Sequence, residues 1–313
     1  MVHFRWFYNF VILIIVDMLM NQPLVLVWLL NPACDPYCRK YWITETNFFT
    51  GLFCRSEDLF YIINFRHDDL VLAISVIVVH LGYKRPCPGG VYGDAVPQID
   101  RFAIELGNIQ MANNVYRVAY DAGVRRLVVA SSNHAADWYE HALIHSHQKD
   151  VVSTSDLPVS DNFYGWAKAS YELLAWPYAS GGFGRELEFV HIRIGAPREM
   201  EAARYEGWSG EQLPAGSGLA NFKRELGAYF SARDMTQLFR RGIETLDIAN
   251  EHGIPWVVVH GISGNTRAFW SLETARTVLG YQPEDDSEVR FAADVNRLLT
   301  GPDATVAGGR VGA

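Results

Sequence analysis

At 313 residues and a formal net charge of −8, the chain has room for one large α/β unit with a sizeable core. Only five of its 27 basic residues are lysine, and this acidic balance excludes the cationic surplus that a phosphate backbone demands, so no nucleic-acid partner is expected. All four cysteines (Cys34, Cys38, Cys54, Cys87) lie near the amino terminus without zinc-knuckle or C-x-x-C spacing, which reads as free thiols in a reducing, cytoplasmic setting.

Residues 1–81 hold a single glycine, Gly51, and two alanines, Ala33 and Ala73, whereas the rest of the chain holds 25 glycines. Strand-turn-helix units spend glycine on their turns, so the first ~70 residues form an atypical segment. Its stretch FVILIIVDMLMNQPLVLVWLL (10–30) is broken by Asp17 and by Asn21-Gln22-Pro23. A membrane span needs about 20 largely uninterrupted apolar residues, so a membrane partner is not expected.

An orderly pattern begins with VLAISVIVVHLG (71–82), a β-branched run closed by Gly82 that suits a strand buried on both faces. The stretch 100–123 has Phe102, Leu106, Ile109, Val115, Val118 and Ala119 near helical spacing, with Gly123 as its stop. RRLVVASS (125–132) is a second strand, and strand, helix, glycine, strand is the βαβ signature of a parallel sheet. After a His-rich polar stretch, a helix is expected from Phe163 to about Tyr178, then a strand LEFVHIRIG (187–195). Residues 198–232, which include Gly207, Gly210, Gly216 and Gly218, read as irregular. A helix from Asp234 to about Asn250, a strand PWVVVHGIS (255–263) and a short helix within 271–283 follow. The expected architecture is a Rossmann-like, doubly wound α/β domain over 71–298 whose small C-terminal part covers the strand ends, followed by a mobile tail, 299–313.

Ser132 stands at the end of the second strand, and Tyr164 and Lys168 lie thirty-two and thirty-six residues beyond it. Tyr and Lys at i and i+4 share one helix face, so the ammonium can favour the ionised phenol. A hydroxyl from Ser132 can bond the same substrate oxygen. That is a base, its activator and an orienting group for taking a proton from an alcohol while hydride leaves to a nicotinamide. The histidines His134, His141, His145 and His147 fall close together beside Asp137 and Glu140 but form no H-E-x-x-H, so no metal is expected.

The segments VVHLG (78–82), 107–134 ending in SSNH, FYGWAKASYE (163–172), IRIG (192–195) and VLGYQP (278–283) resemble the extended or atypical short-chain dehydrogenase/reductase family, also called NAD-dependent epimerase/dehydratase. Within it, SSNH with YGxxK and RIG is most similar to the uronate dehydrogenases, and the likeness spans about residues 76–295. The resemblance implies an NAD- or NADP-dependent oxidoreductase acting on a hydroxyl of a sugar or sugar acid, and a possible homo-oligomer. It makes Tyr164 the base, Lys168 its activator and nicotinamide-ribose ligand, and Ser132 the substrate-hydroxyl partner. Asn133, His134 and Arg224 become substrate ligands, with the Arg224 fork on a carboxylate. Gly82, Asn108 and Ile194 fall at cofactor-side positions.

Three departures from that pattern stand out. Ala196 replaces a serine after RIG, and Tyr83-Lys84-Arg85 follows Gly82 in place of small residues. The G-x-x-G-x-x-G that lets a backbone approach a pyrophosphate is missing from residues 1–51. The rival readings are a nucleotide-sugar epimerase or dehydratase, and a catalytically dead relative unable to bind dinucleotide.

Overall fold

The computed structural model describes residues 76–80, 101–205 and 218–299. The atypical amino-terminal segment, Gly82 with the Tyr83-Lys84-Arg85 loop, and the tail from residue 300 lie outside the described residues. Four parallel strands, β1 (Val76–His80), β2 (Arg126–Ser132), β3 (Glu188–Ile194) and β4 (Trp256–Gly261), line up in chain order. Their register runs Val78, Val128, Val190, Val257 across the sheet.

Alternate residues of a strand face opposite sides, so a run such as RLVVASS must be covered twice. Leu127, Val129 and Phe189 pack against α1 (Phe102–Asp121) and α3 (Phe163–Leu174). Val128, Val190 and Val259 pack on the other side against α6 (Ala232–Glu244) and α7 (Glu273–Leu279). The expected α/β parallel sheet, with helices over both faces, is borne out. A third apolar cluster gathers Tyr205, α5 (Gly218–Ala228) and α9 (Ala292–Leu299) around Phe222, Tyr229 and Phe291.

Helix α1 stops where Gly123 takes φ +75°, a conformation that only glycine enters without strain, after Ala122 N–H closes on the Val118 carbonyl at 2.9 Å. Its inner face differs from the expected one. Met111, Ala112, Val115, Tyr116 and Ala119 are buried together with the polar Glu105 and Asn108, while Phe102, Leu106 and Val118 remain exposed. Reading only apolar residues misplaced the stripe, because a polar pair completes it.

Three further expectations need correction. The helix starting at Phe163 breaks after Leu174 into a separate turn, α4 (Trp176–Ala179), because Pro177 has no N–H for the ladder. The region expected to be irregular contains α5, which starts at Gly218 (φ +77°) and carries Arg224. Helix α6 ends at Glu244 and not near Asn250. There the Arg126 guanidinium, from the start of β2, donates to the Gly242, Ile243 and Thr245 carbonyls at 3.1, 3.1 and 2.6 Å and satisfies the helix end.

Candidate active site

The carboxyl ends of β2 and β3 form the edge at which parallel sheets bind ligands. Ser132, the last residue of β2, is buried, and its Oγ accepts from the His134 N–H at 3.2 Å, starting a 3-10 turn over Asn133–Ala136. Tyr164 sits in the first turn of α3, near enough to Ser132 for that hydroxyl to favour the ionised phenol. Asn162 fixes that turn by capping it, its Oδ1 accepting from Gly165 N–H at 2.9 Å. Gly165 lies so close to the loop that a Cβ there would stand 2.1 Å from the His134 carbonyl oxygen. One turn further, Lys168 is 2% exposed, with Nζ 5.3 Å from the Tyr164 ring centre and 5.0 Å from that of Tyr171.

Ser132, Tyr164 and Lys168 lie near one another at this strand end, and burial dominates the electrostatics of the last two. Burial pushes the Tyr164 phenol up to about 12; the hydrogen bond to Ser132 opposes this, and Glu105 and Asp137 add to it. Burial also draws the Lys168 ammonium down to about 8, against the pull of Glu105 and Glu172. The hydroxyl of Ser132 eases the phenol toward ionisation.

Acidic residues that the sequence reading passed over support this set. Glu105 is 1% exposed and accepts from Asn108 Nδ2 at 2.8 Å, so Asn108 is engaged by its own helix. Glu172, four residues after Lys168, accepts from Ser131 Oγ at 2.5 Å and from Arg193 Nη2 and Nε at 2.7 and 3.0 Å. Its i+4 spacing in FYGWAKASYE was the available signal.

His134 lies edge-on to the Tyr164 ring, with centres 5.5 Å apart, and its Nδ1 is 2.7 Å from Asp137 Oδ2. That same oxygen accepts from Asn162 Nδ2 at 2.9 Å, while the fully buried Oδ1 of Asp137 has no hydrogen-bond partner among the described residues, nor has Nδ2 of the buried Asn133. The turn from α2 (Asp137–Tyr139) continues through a π-helical segment, Glu140–Ile144. On it Glu140 meets Arg224, whose Nε and Nη2 donate to its two oxygens at 2.8 and 3.4 Å. Arg224 is therefore not the open fork that was expected, and nothing in the sequence signalled a partner so far along the chain. Arg224, backed by His145 and His141, holds the Glu140 carboxyl at about 2 despite its burial.

Ile194 ends β3 beside Ser132 and Gly261. Asp137, His141 and Asp161 each bring one ligand atom within 4.8 Å of the others, but His141 Nδ1 already bonds Asp161 Oδ2 at 2.8 Å. Surface hollows between α6 and residues 282–290 involve none of these side chains. No described helix is long and apolar enough to cross a membrane.

No family model matches the chain. It is 30% identical over 216 residues to the L-arabinose 1-dehydrogenase (NAD(P)(+)) of Haloferax volcanii, covering 67% of this chain and 75% of that one. It is 28% identical over 200 residues to the NAD-dependent glucose-6-phosphate dehydrogenase of the same organism, covering 62% and 66%. To the uronate dehydrogenase of Pseudomonas syringae pv. tomato it is 29% identical over 190 residues, covering 60% and 55%. The chain thus spans less than two thirds of the last two relatives. Among solved structures, uronate dehydrogenase from Agrobacterium tumefaciens aligns with a TM-score of 0.45 at 24% identity, covering 62% of this chain and 59% of that one.

Proposed function

Because this chain belongs to the NAD-dependent epimerase/dehydratase branch of the short-chain dehydrogenase/reductase family, we propose that it is an NAD(P)-dependent oxidoreductase that oxidises a hydroxyl of a sugar or sugar acid. The observation that carries the reading is the nearness of Tyr164 to Ser132 and to the buried Lys168, at the carboxyl end of β2. The donor set suits the nicotinamide end of the cofactor: an ammonium for ribose hydroxyls, a phenol beside it, and Ile194 at the neighbouring strand end. When bound, NAD(P) supplies the hydride acceptor.

Ser132 Oγ and the Tyr164 hydroxyl bind one substrate oxygen between them. Tyr164 takes its proton as the carbon is oxidised, and Ser132 holds the alcohol in line. Burial makes the free phenol a reluctant acid, so its ionisation draws on the hydroxyl of Ser132. His134 and Asn133, next to Ser132, orient the rest of the sugar.

Titration of the purified protein with NAD and NADP, followed by the fluorescence of its nine tryptophans, tests cofactor binding, and a panel of aldoses and uronic acids tests turnover. We expect saturable binding, reduced cofactor with at least one sugar, and loss of about 100-fold or more in rate for Tyr164→Phe. Failure to bind either dinucleotide overturns this reading in favour of a non-catalytic relative lacking the glycine-rich loop.

A further inference from the structure

Building on the oxidoreductase reading, we infer that the sugar taken by this site is uncharged, because Glu140 already engages the guanidinium that would otherwise hold a sugar carboxylate. Arg224 reaches from α5 with a side chain 15% exposed, and both its Nε and Nη2 are committed to Glu140, which is fully buried. The free Nη1 edge of such a fork keeps donors but not a net charge, since the buried carboxylate beside it cancels the guanidinium.

The rest of this wall adds negative charge. Asp137, three residues before Glu140, is also fully buried and lies on the side of Tyr164. Its Oδ2 is shared by His134 and Asn162, and its Oδ1 has no partner among the described residues. Histidines aside, one guanidinium is paired with the Glu140 carboxylate and lies within electrostatic reach of the Asp137 carboxylate, an arrangement that repels a third carboxylate. A hydroxyl meets no such penalty. It donates and accepts, and the wall carries one orphan of each kind, the acceptor Asp137 Oδ1 and the donor Asn133 Nδ2.

Matched pairs differing only at C6 test this: glucose against glucuronate, and galactose against galacturonate. Binding to the full chain is measured calorimetrically with and without NAD, alongside turnover. We expect the neutral member of at least one pair to bind about tenfold more tightly or better, and Glu140→Gln, which frees Arg224, to move the ratio about tenfold toward the uronate. The wild-type comparison stands even if that variant does not fold. A wild-type preference for uronate, no sugar binding at all, or a folded Glu140→Gln with an unchanged ratio overturns the inference. Absence of reduced cofactor with every sugar overturns only the oxidoreductase reading, because the binding ratio remains measurable.

Discussion

Arg193 and Glu172 form a two-point ion pair beneath the candidate catalytic lysine, with contacts of 2.7 and 3.0 Å and both side chains at most 2% exposed. The pair ties β3 to α3 one turn beyond Lys168, while Ser131 ties the same carboxylate to β2. Removing one partner strands a charge away from water, which costs far more than the intact pair contributes. Arg193→Leu should therefore lower unfolding free energy by about 3 kcal/mol or more, read from the urea midpoint. The double variant Arg193→Leu/Glu172→Leu should recover part of that loss.

A second prediction concerns Gly165. A methyl group there meets the His134 carbonyl at 2.1 Å and Ser160 Oγ at 2.2 Å. The serine side chain can rotate, but the carbonyl is backbone. Gly165→Ala should cost about 1 to 3 kcal/mol and reduce turnover by separating Tyr164 from Ser132. Thermal unfolding and steady-state rates measure the two effects, and an unchanged rate in a folded variant would show that the clamp does not set the spacing.

Much of this architecture was legible in the sequence because it depends on local pattern. The runs RRLVVASS and PWVVVHGIS became β2 and β4, and the Tyr164/Lys168 spacing placed both on one helix face. What escaped depends on distant or polar partners. The end of α6 is decided by Arg126, more than a hundred residues earlier, and the engagement of Arg224 by Glu140 crosses 84 residues. The buried face of α1 was misjudged because Glu105 and Asn108 satisfy each other inside it. Hydrophobic periodicity carries no trace of such a pair.

Acid stability gives a third prediction. The Glu140 carboxyl stands at about 2 in the folded chain against an ordinary 4.5, so the folded state releases its proton more readily than the unfolded one. Its contribution, of about 3 kcal/mol, is present above pH 4.5 and is lost as pH falls toward 2. The stability gap between wild type and Glu140→Gln should therefore be full at pH 6 and shrink by pH 3. Urea unfolding at the two values measures it, and a constant gap would contradict the ion-paired state of Glu140.

The Tyr164 and Lys168 pair gives a fourth. Lys168 is lowered to about 8 from 10.5, so the unfolded chain holds its proton more tightly between those values, and stability rises with pH across that window. Tyr164 is raised to about 12 from 10, so its contribution is complete below pH 10 and is lost as pH rises toward 12. Relative to Tyr164→Phe/Lys168→Met, the wild-type chain should gain stability from pH 8 to 10 and then lose it. Unfolding free energies at pH 8, 10 and 11.5 would reveal a monotonic difference if the assignments were wrong.

Asn162 uses both ends of one amide. Its oxygen caps the helix that carries Tyr164, and its nitrogen holds the Asp137 carboxylate that steadies His134. In the proposed mechanism, substrate reading and proton handling are in consequence a single mechanical part. Under that proposal, exchanging His134 or Asp137 to obtain a new sugar preference would also disturb the cap beneath Tyr164, so that selectivity and acidity would shift together.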